Sequence, residues 1–235
     1  MLLALPFLTN CNDDEPIPET PKGNITGSVI LYDEAFTSVS DSGMTVFVEG
    51  YESKGSITDT GGVYLVAGIP LGTHTLMYTK VNYGTYKIFD FELKDQNKTV
   101  TMIEVPELGE KSSSAVTNLV QVVQGTDANL FISTDPQGSS SNTTYVRVFL
   151  STDAGVSNTN YEAFTDVVAI TSNPAFYTIT QAELKSFGFT SGNKIYVKVY
   201  GESIKSNDYV DPADGIRVFP NENPTAANAV SFVMP

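Results

Sequence analysis

The chain has 235 residues, 41% of them apolar and 17% charged, with 13 basic against 27 acidic side chains and a net charge of −14. Apolar content at that level supports packed cores rather than a disordered acidic tail, while the negative sign argues against nucleic acid or anionic lipid headgroups as partners, since both call for a basic face. One cysteine and one histidine exclude an internal disulfide and a zinc site built from Cys and His.

The first element is a short apolar run, Leu2 to Leu8, directly before the sole cysteine, Cys11. It is too short to cross the roughly 30 Å hydrocarbon core of a bilayer and about right for the core of a signal peptide. "LTNC", ending at Cys11, resembles a bacterial lipobox, and the "NDDE" that follows resembles the acidic export signal of lipoproteins in a large phylum of gut-dwelling Gram-negative bacteria. The resemblance implies that residues 1–10 are the remnant of a signal peptide, that Cys11 is the lipid attachment site, and that the protein faces the cell exterior from the outer membrane, held by acyl chains alone. Residues 11–22 then form a lipidated tether. Pro16, Pro18 and Pro21 favour an extended chain there, at ~3.1 Å per residue.

From Gly23 to Pro106 the pattern has period two. Ile25, Val29 and Leu31 share a face interrupted by Gly27, Met44 alternates with Val46 and Val48, and Phe89, Phe91 and Leu93 repeat the pattern further on. Short β-branched and aromatic strands between Gly, Asp and Asn turns predict an all-β sandwich. "DTGG" (Asp59 to Gly62) predicts a tight hairpin turn, glycine supplying the positive φ. "GMTVFVEG" followed by "SITDTGGVYLVAGIPLGTHTLMYTKVNYG" resembles the carboxypeptidase regulatory-like domain, a transthyretin-like sandwich. Thr58, Asp59, Gly62 and Tyr64 match its central hairpin, and Pro70, Gly72, His74 and Leu76 its next element. In metallocarboxypeptidases such domains do no chemistry, and the resemblance implies a structural or binding module. His74 is expected to be a half-buried strand residue.

"PELGEKSSS" (Pro106 to Ser114) is polar and turn-rich, which places a boundary there and a second domain over 111–235. Strand patterns resume, interrupted once by "TQAELKSFGF". Thr180 and Glu183 make a capping box, Ala182, Leu184 and Phe187 an apolar stripe, and Gly188 a stop, so one short helix is expected. "GNKIYVKVYGES" resembles the penultimate strand of fibronectin type III and related immunoglobulin-like domains, with Ile195, Val197 and Val199 facing in and Tyr196, Lys198 and Tyr200 facing out. The fold expected overall is all-β: two tandem β-sandwiches, transthyretin-like and then immunoglobulin-like, with one short helix in the second.

Candidates for chemistry are few. Asp208, Asp211 and Asp214 precede Gly215; calcium needs converging hard oxygens at closer spacing, and the alternatives of a calcium loop and a solvated turn stay open. No nucleophile elbow, P-loop or dinucleotide fingerprint is present, and no cofactor or metal is expected. Tyr51, Tyr83 and Tyr86 are the aromatics nominated for ligand contact, because exposed rings stack on the apolar face of sugars. The expectation is a non-catalytic surface lipoprotein with binding or scaffold domains, accessory to an outer-membrane glycan or nutrient uptake system, its partners outer-membrane proteins or a neutral glycan. A fimbrial or adhesin-type subunit and a carbohydrate-acting enzyme are the alternatives.

Overall fold

The computed structural model describes residues 20–234 and is all-β apart from one short α-helix and a single 3-10 turn. The first half contains β1 (Lys22–Ser28), β2 (Ile30–Tyr32), β3 (Thr45–Val48), β4 (Ser56–Ile57), β5 (Val63–Pro70), β6 (Gly72–Thr79), β7 (Tyr86–Leu93), β8 (Thr99–Thr101) and β9 (Glu107–Gly109). Strands β5-β1-β8 form one sheet and β4-β3-β6-β7 another, with β2 and β9 paired in parallel. Ile25, Val29, Leu31, Met44, Val46 and Val48 are all buried between them, as the alternation requires.

The motif residues of the central hairpin each satisfy a backbone group. The Thr58 hydroxyl donates to the Asp41 carbonyl and accepts from the Met44 amide. Asp59 Oδ1 accepts from the amides of Gly61 and Val63, and Gly62 takes φ +75°. Gly27 is required by close approach, since a Cβ there would lie 2.5 Å from the Tyr64 hydroxyl. That hydroxyl is hydrogen-bonded to Tyr78 at 2.8 Å inside the core.

One alternation breaks. Tyr86 and Ile88 pack on the core, and so do Phe91 and Leu93, which changes the phase of β7 by one residue. The register shift lies opposite His74–Leu76, and Asp90 adopts φ +56°. Such a bulge inserts one extra residue and re-aims the side chains beside it. Phe89, expected to face in with Phe91 and Leu93, therefore leaves the core and meets the ring of Tyr209, centroid to centroid 5.7 Å.

The second half contains β10 (Ala115–Gln124), β11 (Asp127–Asp135), β12 (Thr144–Ser151), β13 (Ala163–Phe164), β14 (Val168–Ile170), β15 (Ala175–Ile179), α1 (Gln181–Ser186), β16 (Lys194–Gly201), β17 (Tyr209–Val210), β18 (Arg217–Val218) and β19 (Val230–Val233). Sheet β10-β11-β15 faces a sheet ordered β13-β12-β16-β19, with β14 also pairing with β12. Leu130, Ile132, Val146, Val148, Leu150, Ile195, Val197 and Val199 fill the space between. The capping box of α1 forms as its sequence indicates. Of the expected stripe, Leu184 is buried, Phe187 is half-buried and Ala182 is exposed, because six residues make less than two turns and only a narrow face can touch the core.

The outer face of β12 and β16 is not solvated as the alternation suggests. Segments 152–165 and 203–229 fold over it, and Tyr200 sinks into a second, aromatic cluster with Phe149, Val156 and Phe219. Segment 203–221 also grips the first half. Asn207 and Asn221 both donate to the Gly109 carbonyl, at 2.9 Å each, and Asn207 Oδ1 accepts from the Gly109 amide. Lys205 pairs with Glu107, and Tyr209 lies edge-on to Tyr86. Residues 106–114, the polar, turn-rich stretch of the expected boundary, contain strand β9, with Leu108, Ser112 and Ser114 buried. The polarity marks hydrogen bonding to these amides rather than exposure.

Candidate ligand-binding site

The signal-peptide remnant (residues 1–10), Cys11 and the tether as far as residue 19 lie outside the described residues, while the end of the tether is already part of the fold, Pro21 accepting from the Leu71 amide at 3.0 Å and Lys22 opening β1. Of the nominated tyrosines, Tyr83 is 7% exposed and its hydroxyl donates to the Tyr32 carbonyl. Burial, then Glu110, Asp33 and Asp41, pushes its phenol up to about 12. Tyr86 is half-buried between Tyr78 and Tyr209. Tyr51 is half-buried with its ring 6.1 Å from His74 in an edge contact. Tyr83 is thus committed to packing, while Tyr51 and Tyr86 keep part of their surface outside the aromatic contacts they make. His74 is half-buried on β6, its Nε2 2.8 Å from the Pro70 carbonyl.

The aspartates diverge. Asp208 pairs with Arg217 and Ser206. Burial pushes its carboxyl up, but Ser206, Arg217 and Arg147 outweigh that and hold it below the usual range. Asp211 and Asp214 cap the β17–β18 turn, accepting from the amides of Ala213 and Ile216 at 2.9 Å each. Among the described residues no group of three or more His, Cys, Asp or Glu is arranged to hold a metal ion.

What the structure does build is a trough over the covered face of the second sandwich. Three depressions of about 420, 580 and 550 Å³ lie side by side, and all three are lined by Phe164 on β13. The first, beside α1, adds Tyr177, Phe187, Asp166 and Glu183. The middle one shares Asp166 with the first and adds Arg147, Asp208, Phe219 and Arg217. The last shares Arg217 and adds Tyr161, Val210 and Ile216. Each volume is within the range of roughly 300–1,000 Å³ typical of small-ligand sites.

The floor is held by a buried charge cluster. Arg147, on β12 between Val146 and Val148, donates through Nε to Glu202 at 3.2 Å and through Nη1 to the Thr165 carbonyl at 2.7 Å. Its guanidinium stacks 4.4 Å from the Phe219 centroid. Burial raises Glu202 to about 7, with Arg147 pulling it back. Glu222 is 5% exposed, and neither carboxyl oxygen has a well-formed hydrogen-bond partner. Burial first, then the charge of Glu202, pushes it up to about 9, against which Asn158 and Arg147 pull weakly. Neither glutamate lines the trough. The signal for this site in the sequence is a charge inside an apolar strand: Arg147 interrupts "YVRVFLS", and an arginine buried there demands an acid nearby.

No protein-family model matches the sequence, and no curated protein does. Among solved structures the chain is similar to a Bacteroides uniformis protein provisionally described as carbohydrate binding, at 14% identity over 91% of this chain and 99% of that one, with a TM-score of 0.34. It is also similar to DUF3823 family proteins of Parabacteroides merdae, at 10% identity over 91% and 100% of the two chains and a TM-score of 0.33, and of Bacteroides ovatus, at 16% over 92% and 100% and 0.31. Likeness at these values assigns no function, and the trough stands on its own residues.

Proposed function

We propose that this chain is a non-catalytic binding protein of the cell surface, lipid-anchored through Cys11, that serves beside an outer-membrane nutrient-uptake complex. The observation that carries the binding role is the three-part trough around Phe164. The carboxyls best suited by pKa to proton transfer, Glu202 and Glu222, are sealed beneath it, where no ligand in the trough can reach them; general acid–base work needs hydrogen-bond reach. Among the described residues no helix is long and apolar enough to cross a membrane.

The test is fractionation and surface cross-linking in cells expressing the chain. Cys11→Ala should leave the membrane fraction and lose labelling by a fatty-acid probe, and the native protein should cross-link to a β-barrel transporter. Retention of the variant with continued labelling refutes the anchor, and cross-linking without any β-barrel partner refutes the uptake role. A fimbrial subunit is favoured by one feature. Edge strand β10 carries no charge and leaves Val120, Val122 and Val123 exposed, the kind of edge that accepts an added strand. Detergent-stable ladders would select that reading.

A further inference from the structure

The geometry points to a linear, neutral oligosaccharide as the ligand of the trough, lying across all three depressions with successive sugar rings on either side of Phe164. This rests on the trough being the binding face.

Continuity comes first. The depressions beside α1 and over Arg147 share Phe164 and Asp166, and those over Arg147 and Tyr161 share Phe164 and Arg217. A compact ligand would fill one of them. Three similar spaces in a row, each with an aromatic side chain, suit a chain of repeating units. Tyr177 with Phe187, then Phe164, and then Tyr161 supply half-buried rings in turn, with Phe219 buried beneath Phe164. A pyranose offers one face of C–H groups to a ring and hydroxyls at its rim, and aromatic side chains reward that shape.

Charge decides the class. The two guanidiniums facing the trough are both committed, Arg147 to Glu202 and Arg217 to Asp208. Asp166 is exposed, and Glu183 lines the same depression as the partner of Thr180 in the capping box. A uronate or sulfated sugar entering here meets carboxylates and gains no unpaired cation. A neutral sugar suffers no such repulsion, its hydroxyls donating to Asp166 and Asp208. Arg217, whose side chain is 40% exposed, still has N–H groups for ring and hydroxyl oxygens, since a guanidinium has five donors. The ends differ: Val210 and Ile216, 45% and 41% exposed, make the Tyr161 end the apolar one.

The experiment is calorimetric titration of the purified full chain with cello-, xylo-, manno- and maltohexaose, with hexagalacturonate, and with an extended neutral peptide. At least one neutral hexasaccharide should bind, more tightly than its own disaccharide and with affinity unchanged between low and high salt. Ile216→Glu and Asp166→Asn, both at exposed positions, should each weaken it by about tenfold or more without lowering the melting temperature. Binding of hexagalacturonate or the peptide in preference, lost in the same variants, keeps the trough and overturns the neutral-glycan assignment. Binding that ignores both variants, or no binding to any of these ligands, overturns the trough itself.

Discussion

Replacing Glu222 by Gln should stabilise the protein, and by an amount that depends on pH. The carboxyl is 5% exposed and raised to about 9, against an ordinary value of 4.5. Between those values the folded state holds a proton that the unfolded chain releases, so stability is greatest below 4.5, falls as pH rises, and levels off above about 9. At about 1.36 kcal/mol per pH unit, the interval from 4.5 to neutrality costs the native protein about 3 kcal/mol. Glutamine fills the same space without a proton to hold. At pH 7 the variant should therefore melt about 6–12 °C higher, on the scaling of about 2–4 °C per kcal/mol for chains of this size, and near pH 4 it should match the native protein. Thermal melts of both proteins across that range measure the difference directly. Equal shifts at both ends, or a variant less stable at pH 7, would mean that Glu222 is ionised and paired in the fold, and the reasoning from burial would be wrong.

Asn221→Ala removes the donor to the carbonyls of Gly109 and Lys205; stability should fall by about 2–4 kcal/mol, and segment 106–114 should resist limited proteolysis in the native protein and become open to it in the variant. Native cleavage in that segment, leaving two stable fragments, would refute the grip of 203–221. Gly27→Ala drives a methyl against the Tyr64 hydroxyl and should cost about 1–3 kcal/mol by overpacking, read by denaturant titration. Thr180→Ala deletes the cap of α1, with an expected loss of about 1 kcal/mol in the same titration.

The sandwich class was legible because the core strands alternate cleanly: Ile25, Val46, Val48, Ile195, Val197 and Val199 lie where period two places them. The hairpin turn was legible for a further reason, since Asp59 and Gly62 perform jobs that depend on neighbours close in sequence, whereas Thr58 reaches back to Asp41 and Met44. What the sequence hid was everything set by distant segments. Phe89 left its expected face because a bulge intervened, and Tyr83 went inside because the Tyr32 carbonyl, far along the chain, was there to accept its hydroxyl. The trough was hidden most completely, as Arg147, the Phe164–Asp166 segment and Arg217 lie far apart in the chain, and no local pattern announces that 203–229 will cover the outer face of β12 and β16.

Segment 203–221 has two neighbours at once. Asp208 and Arg217 on one side form a wall of the trough, while Lys205, Asn207, Tyr209 and Pro220 on the other side rest on the first half, Pro220 so closely that a Cβ at Gly84 would fall 2.3 Å from its carbonyl oxygen. A wall shared in this way makes ligand affinity and the seating of the two halves reciprocal quantities: whatever free energy a ligand gains from a correctly placed Arg217 it also lends to the contact behind it. A partner leaning on the first half would thus be felt in the trough as a change in ligand affinity.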